Sequence, residues 1–115
     1  MIPMDDCLFC KIIRGEIPSA KVYENDDVYA FRDINPQAPV HVLIVPKKHV
    51  ANVLEGARDG MMDTLCRAAA DIARQEGVAE TGFRLITNCG RDGAQSVQHL
   101  HLHLLGGKQL SEAMA

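Results

Sequence analysis

The chain has 115 residues, 47% hydrophobic and 23% charged, the size and composition of one globular domain over residues 1–115. A formal net charge of −3 supplies no basic surface, so neither nucleic acid nor an anionic membrane is an expected partner. No apolar run approaches the roughly 20 residues that span a bilayer. The start Met1-Ile2-Pro3-Met4-Asp5-Asp6 lacks the regions of a signal peptide, so a cytoplasmic protein with reduced cysteines is expected.

Residues 7–14 place Leu8, Phe9, Ile12 and Ile13 at helical spacing, and Gly15 can end the turn, so a short helix is expected. Residues 21–24 and 28–32 read as two strands around the turn composition Asn25-Asp26-Asp27, which suggests a hairpin. After the loop 35–39, residues 40–45 form an almost continuous apolar and β-branched run broken only by His41, the best candidate for a central strand. Residues 59–76 carry Met61, Met62, Leu65, Cys66, Ala69, Ile72 and Ala73 at the helical period. That predicts one long helix with Asp59 as N-cap, Gly77 as C-cap, Cys66 in the core and an Asp63–Arg67 pair on the wet side. Residues 83–87 read as a strand, 88–94 as a glycine-containing loop and 98–105 as a last strand. The order predicts an α+β domain with a mostly antiparallel sheet.

The last strand holds the most informative pattern. His99, His101 and His103 alternate with Leu100, Leu102 and Leu104, so a strand would carry imidazoles on one face and leucines on the other. Such a row can hold a metal, grip a phosphate or supply a nucleophile, and titratable clusters of this kind gather at functional sites. His41 and His49 complete the five histidines, and His41 reads either as a packed core residue or as part of that cluster. Ser96 enters the histidine run without a Gly-x-Ser-x-Gly elbow. Its hydroxyl reads either as a turn partner of local backbone or, with nearby N–H groups, as an anion holder. Cys7-Leu8-Phe9-Cys10 has zinc half-site spacing or is a redox pair, with His49 and His99 as candidates for the remaining ligands. Lys47-Lys48 reads as a solvated pair, and Cys89 receives no role. There is no phosphate-binding glycine loop of the P-loop or dinucleotide type.

Residues 99–105, His-Leu-His-Leu-His-Leu-Leu, match the signature of the histidine triad (HIT) family, in which three histidines alternate with apolar residues. Residues 10–18, 31–41, 45–49, 95–97 and 106–110 resemble its Hint branch, so the likeness spans about residues 5 to 110. The Gly106-Gly107 tail favours Hint-type nucleoside phosphoramidases over Fhit-type dinucleoside polyphosphate hydrolases. The resemblance implies a five-stranded antiparallel sheet with one long and one short helix, and a homodimer whose sheets join into ten strands. It implies binding of a purine nucleoside monophosphate and hydrolysis of the P–N bond of purine nucleoside 5′-phosphoramidates, adenosine preferred, through a nucleotidyl-histidine.

Carried over by motif, His101 is the nucleophile, His103 and the Gln95, Ser96 and Val97 turn hold the phosphate, and His41 orients the site. Ser96 contacts the phosphate or the leaving amine, Asn88 the phosphate region and Asp33 the ribose hydroxyls. Phe9, Ile12, Phe31 and Ile34 form the slot for the base. The Cys-x-x-Cys of zinc-binding bacterial-type members implies a structural zinc on Cys7, Cys10, His49 and His99. Two positions depart from the pattern. Ala94 stands where glycine is usual and would be strained at positive φ. Arg32 stands where relatives often carry histidine, and either alters base preference or points to solvent. A polyphosphate hydrolase or nucleotidyl transferase, and a nucleotide-binding interaction module with incidental catalysis, are the alternative functions.

Overall fold

The computed structural model describes residues 6–113, so residues 1–5, read above for the missing signal peptide, lie outside it. The elements are α1 (Leu8–Ile13), β1 (Lys21–Glu24), β2 (Val28–Arg32), β3 (Val40–Pro46), α2 (Val53–Gly56), α3 (Met61–Gln75), β4 (Phe83–Ile86) and β5 (Leu102–Gly106). The strands form one antiparallel sheet in the order β1-β2-β3-β5-β4, the five-stranded α+β architecture expected. Among the described residues no helix is long and apolar enough to cross a membrane.

Both faces of the sheet are covered. Alternation along β3 sends Val42 and Ile44 to one side, where they pack with Val28, Ala30, Leu104 and the α3 residues Leu65, Ala69 and Ile72. Leu43 and Val45 go to the other side with Tyr29, Phe31 and the α1 residues Phe9, Cys10 and Ile12. Two Schellman endings stop α1 and α3. Val78 N–H reaches Ala73 O and Gly77 N–H reaches Arg74 O after α3, and Glu16 and Gly15 repeat the pattern after α1. Gly15 and Gly77 supply the left-handed residue each ending requires, so Gly77 lies one place past the cap, which is Glu76.

Several local expectations are corrected. Cys66 is exposed, because the buried stripe of α3 runs through Leu65, Ala68, Ala69, Ile72 and Ala73 and turns Cys66 off the core. The N-cap of α3 is Gly60. Asp59 instead bonds Lys48 Nζ at 3.0 Å. An extra turn of helix, α2, is started by the Asn52 side chain, which accepts from the N–H groups of Leu54 and Glu55. β5 begins at Leu102 rather than Gln98.

Arg32 is resolved by strand parity. It lies on the α3 face with Val28 and Ala30, opposite Phe31, and its guanidinium bonds Glu76 at 2.7 Å. This half-exposed ion pair contributes about 0–1 kcal/mol. Arg32→Ala should therefore lower stability by no more than about 1 kcal/mol, read from urea unfolding. It should leave the ratio of adenosine to guanosine turnover unchanged, and an altered ratio would place Arg32 in base selection.

Candidate functional site

The five histidines meet at the α1 side of β3 and β5, with Cys7, Cys10 and Asp33 among them. His101 is buried, and its Nδ1 lies 2.7 Å from His99 O. A carbonyl only accepts, so Nδ1 carries the proton and Nε2 presents its lone pair. Nε2 has no partner among the described residues. Burial lowers the proton affinity of this ring, against the opposing pull of the His99 carbonyl and the Asp33 charge. A neutral imidazole with a free Nε2 lone pair is a nucleophile at neutral pH.

His41 and His103 form a second unit. Gln37 N–H donates to His41 Nδ1 at 3.0 Å, so the proton of neutral His41 sits on Nε2. That Nε2 lies 3.0 Å from His103 Nδ1 and 3.4 Å from Asp33 Oδ2. His103 Nδ1 then accepts, and His103 Nε2 carries a proton with no partner among the described residues. Two neighbouring histidines thus end up with opposite outward character: a lone pair on His101 and a donor on His103.

Burial pushes His103 down to about 4, helped by His101 and His41, and burial also lowers His41. The unfolded rings, near 6.5, bind more protons than the folded ones across the interval between. Stability should therefore be greatest above about pH 6.5 and fall as the pH drops towards about 4. A melting temperature lower at pH 5 than at pH 7 checks this, and equal values would contradict the buried neutral state.

The loop before the triad is braced from within. Gln95 Nε2 donates to Ala51 O at 2.7 Å and Val97 O at 2.9 Å, and its Oε1 accepts from Gly90 N–H at 2.9 Å. Asn88 Nδ2 donates to Gly93 O at 2.7 Å. These side chains shape the loop, while the Ser96 hydroxyl and the N–H groups of Ser96 and Val97 have no partner among the described residues. Gly93 is required there, since a Cβ would meet Cys89 O at 2.5 Å.

Ala94 adopts φ 60°, the left-handed region that the sequence raised as a strain. Ala94→Gly should relieve it and raise stability by about 0.5–1 kcal/mol after the entropy of glycine in the unfolded chain is subtracted. Thermal unfolding reads this as a rise of a few degrees, and a fall would show that the loop carries no strain.

Phe9, Ile12 and Phe31 are buried together, with Phe9 and Phe31 edge to face at 5.6 Å, while Ile34 is 93% exposed. Asp33 Oδ1 accepts from Asn35 N–H at 2.8 Å, and its other oxygen faces His41.

Behind the triad, Cys7, Cys10, His49 and His99 bring one donor atom each within 4.8 Å of all the others. Cys7 Sγ and Cys10 Sγ lie 3.3 and 3.5 Å from His99 Nδ1, and His49 Nδ1 lies 3.3 Å from Cys10 Sγ and 3.2 Å from His99 Nδ1. Ordinary zinc–ligand lengths put tetrahedral donors about 3.4 Å apart for two nitrogens and about 3.6 Å apart for sulfur and nitrogen. The tautomer also fits. His99 Nε2 donates to Pro46 O at 2.9 Å, so Nδ1 points a bare lone pair at the cluster. Burial and the neighbouring Cys7 raise the Cys10 thiol to about 11, a cost that a bound cation reverses.

Asp33, His41 and His103 also bring donor atoms together, yet fail the same test. A metal on His41 Nε2 would move the ring proton to Nδ1, directly against Gln37 N–H.

The chain matches the family model described as HIT domain over residues 14–110. It is 48% identical over 113 residues to the purine nucleoside phosphoramidase of Escherichia coli (strain K12), covering 96% of this chain and 95% of that protein. It is 50% identical over 112 residues to the 14 kDa zinc-binding protein of Brassica juncea, covering 92% and 96%. Among solved structures, a histidine triad protein from Clostridium difficile superposes with a TM-score of 0.91 at 48% identity, covering 99% of this chain and 100% of that one.

Proposed function

This chain belongs to the HIT family, and from that premise we propose that it hydrolyses the P–N bond of purine nucleoside 5′-phosphoramidates, adenosine preferred. The observation that carries this reading is the His101 ring, bonded through Nδ1 to His99 O with Nε2 left free. In the first step His101 Nε2 attacks phosphorus, the Nε2–P bond forms and the P–N bond breaks. The amine leaves after gaining a proton from solvent water, and the water that attacks in the second step returns one to solvent. Water then attacks phosphorus, the Nε2–P bond breaks, and the nucleoside monophosphate is released with His101 restored.

His103 Nε2–H and the free N–H groups of Ser96 and Val97 hold the phosphate oxygens as charge moves onto them. The Ser96 hydroxyl contacts the phosphate or the departing amine. His41 sets the His103 tautomer. Asp33 takes the ribose hydroxyls, and Phe9, Ile12, Phe31 and Ile34 line the base slot. Gln95 and Asn88 act through the loop they brace. Cys7, Cys10, His49 and His99 would hold a structural zinc, which ties α1 to the sheet when bound. The four cysteines are free, in keeping with a reducing cytoplasm.

The edge strand β4 exposes Phe83 and Leu85, each 39%, beside an unpaired backbone. A second copy would cover this edge in a homodimer.

A substrate panel tests the activity. Adenosine and guanosine 5′-phosphoramidates are compared with a diadenosine polyphosphate under one set of conditions. Fast release of amine and AMP from the adenosine phosphoramidate is expected. Turnover of the polyphosphate alone would move the reading to that substrate class.

A further inference from the structure

The zinc cluster and the nucleophile share one peptide group. β5 pairs with β3 only from Leu102 to Gly106, so the backbone of His99 and His101 lies outside the ladder. Other contacts must hold it. The carbonyl that orients His101 belongs to the peptide between His99 and Leu100. The N–H of that same peptide donates to Val50 O at 2.8 Å, and Val50 follows His49 directly. The side chain of His99 is fully buried with Nδ1 in the cluster and Nε2 on Pro46 O. Both ends of the peptide are therefore anchored beside the two histidine donors. Phe9, between the two cysteines in sequence, touches the His99 ring at 5.9 Å and the His101 ring at 5.0 Å, both edge to face. Releasing the cluster would leave the peptide to the Val50 and Pro46 bonds alone, and would remove the anchors on either side of Phe9.

The geometry points to His99 as a positioning residue: metal held by Cys7, Cys10, His49 and His99 fixes the peptide whose carbonyl orients His101, so metal occupancy sets catalytic competence. This rests on the reading of His101 as nucleophile. It goes beyond a zinc that only braces the fold, because it predicts a loss in the chemical step larger than any loss of nucleotide affinity, together with a change in the His101 tautomer. The nucleotide contacts proposed for Asp33, Ser96 and Val97 lie on other segments and do not pass through this peptide, whereas those of Phe9 and Ile12 share α1 with the two cysteines.

The test compares zinc-loaded protein, protein stripped by a chelator, and stripped protein with zinc restored, each shown to be folded by circular dichroism. Stripping should lower kcat by about 10–100-fold, the range seen when groups that orient a site are lost. AMP affinity should fall by less than kcat does, since Phe9 and Ile12 on α1 also line the proposed base slot, and zinc should restore both. Nitrogen-15 NMR of histidine-labelled protein should show His101 in one tautomer when loaded and in two when stripped. Where the stripped protein does not stay folded, His49→Ala serves, since it keeps three donors; kcat should then track measured zinc occupancy. An unchanged kcat with a single His101 tautomer in the stripped protein overturns the proposal, as does failure of the protein to bind zinc. If loaded protein turns over no phosphoramidate, the assigned reaction fails, and the tautomer comparison still decides this inference.

Discussion

His101→Ala is expected to lower phosphoramidate turnover by ~10⁴-fold or more, the scale on which removal of a nucleophile acts. AMP should still bind, because the proposed phosphate, ribose and base contacts come from other residues. The size follows from the chemistry: among the described residues no other side chain presents a lone pair in the same place. His103 is bonded through Nδ1 and offers a proton from Nε2, and His41 spends both nitrogens on Gln37 and His103. Neither can substitute. Quenched single-turnover reactions, read by mass spectrometry, should show a nucleotide attached to wild-type protein and none on the variant. A variant retaining more than a few per cent of turnover would remove His101 from the role of nucleophile.

Cys7→Ala/Cys10→Ala is the second large effect. It should abolish zinc binding and lower the melting temperature by more than about 15 °C. A ligand present at a thousand times its Kd stabilises the folded state by about 4 kcal/mol. For a domain of this size each kcal/mol corresponds to about 4–8 °C. Elemental analysis and thermal unfolding check both parts. Wild-type and variant proteins that melt together, both without metal, would show that the cluster holds none.

Much of the fold was legible in the chain because periodicity records burial. The leucines between the triad histidines, the apolar run of β3 and, Cys66 apart, the stripe of α3 fall where their spacing put them. Arg32 was also readable, since period-two parity from Phe31 turns it away from the base slot. α2 left a signal in Asn52 followed by Glu55, a helix start that a four-residue element makes easy to pass over. Cys66 misled because a helix has several apolar arcs, and only the sheet beneath it selects Ala68 in place of Cys66.

Residue type and spacing alone determined which chemistry is available: three alternate imidazoles, a Cys-x-x-Cys and a serine-containing loop. Tertiary structure decided what each group does. Whether a histidine offers a lone pair or a proton depends on what faces its other nitrogen, and those partners are distant or irregular backbone: Gln37 N–H, Pro46 O and the carbonyl of His99. The same holds for Gln95, whose amide closes the loop onto Ala51. It holds for the start of β5, delayed because Leu100 N–H bonds Val50 instead of joining the ladder. Side-chain identity sets the possible reactions, and hydrogen-bond direction, fixed only when remote segments meet, selects among them.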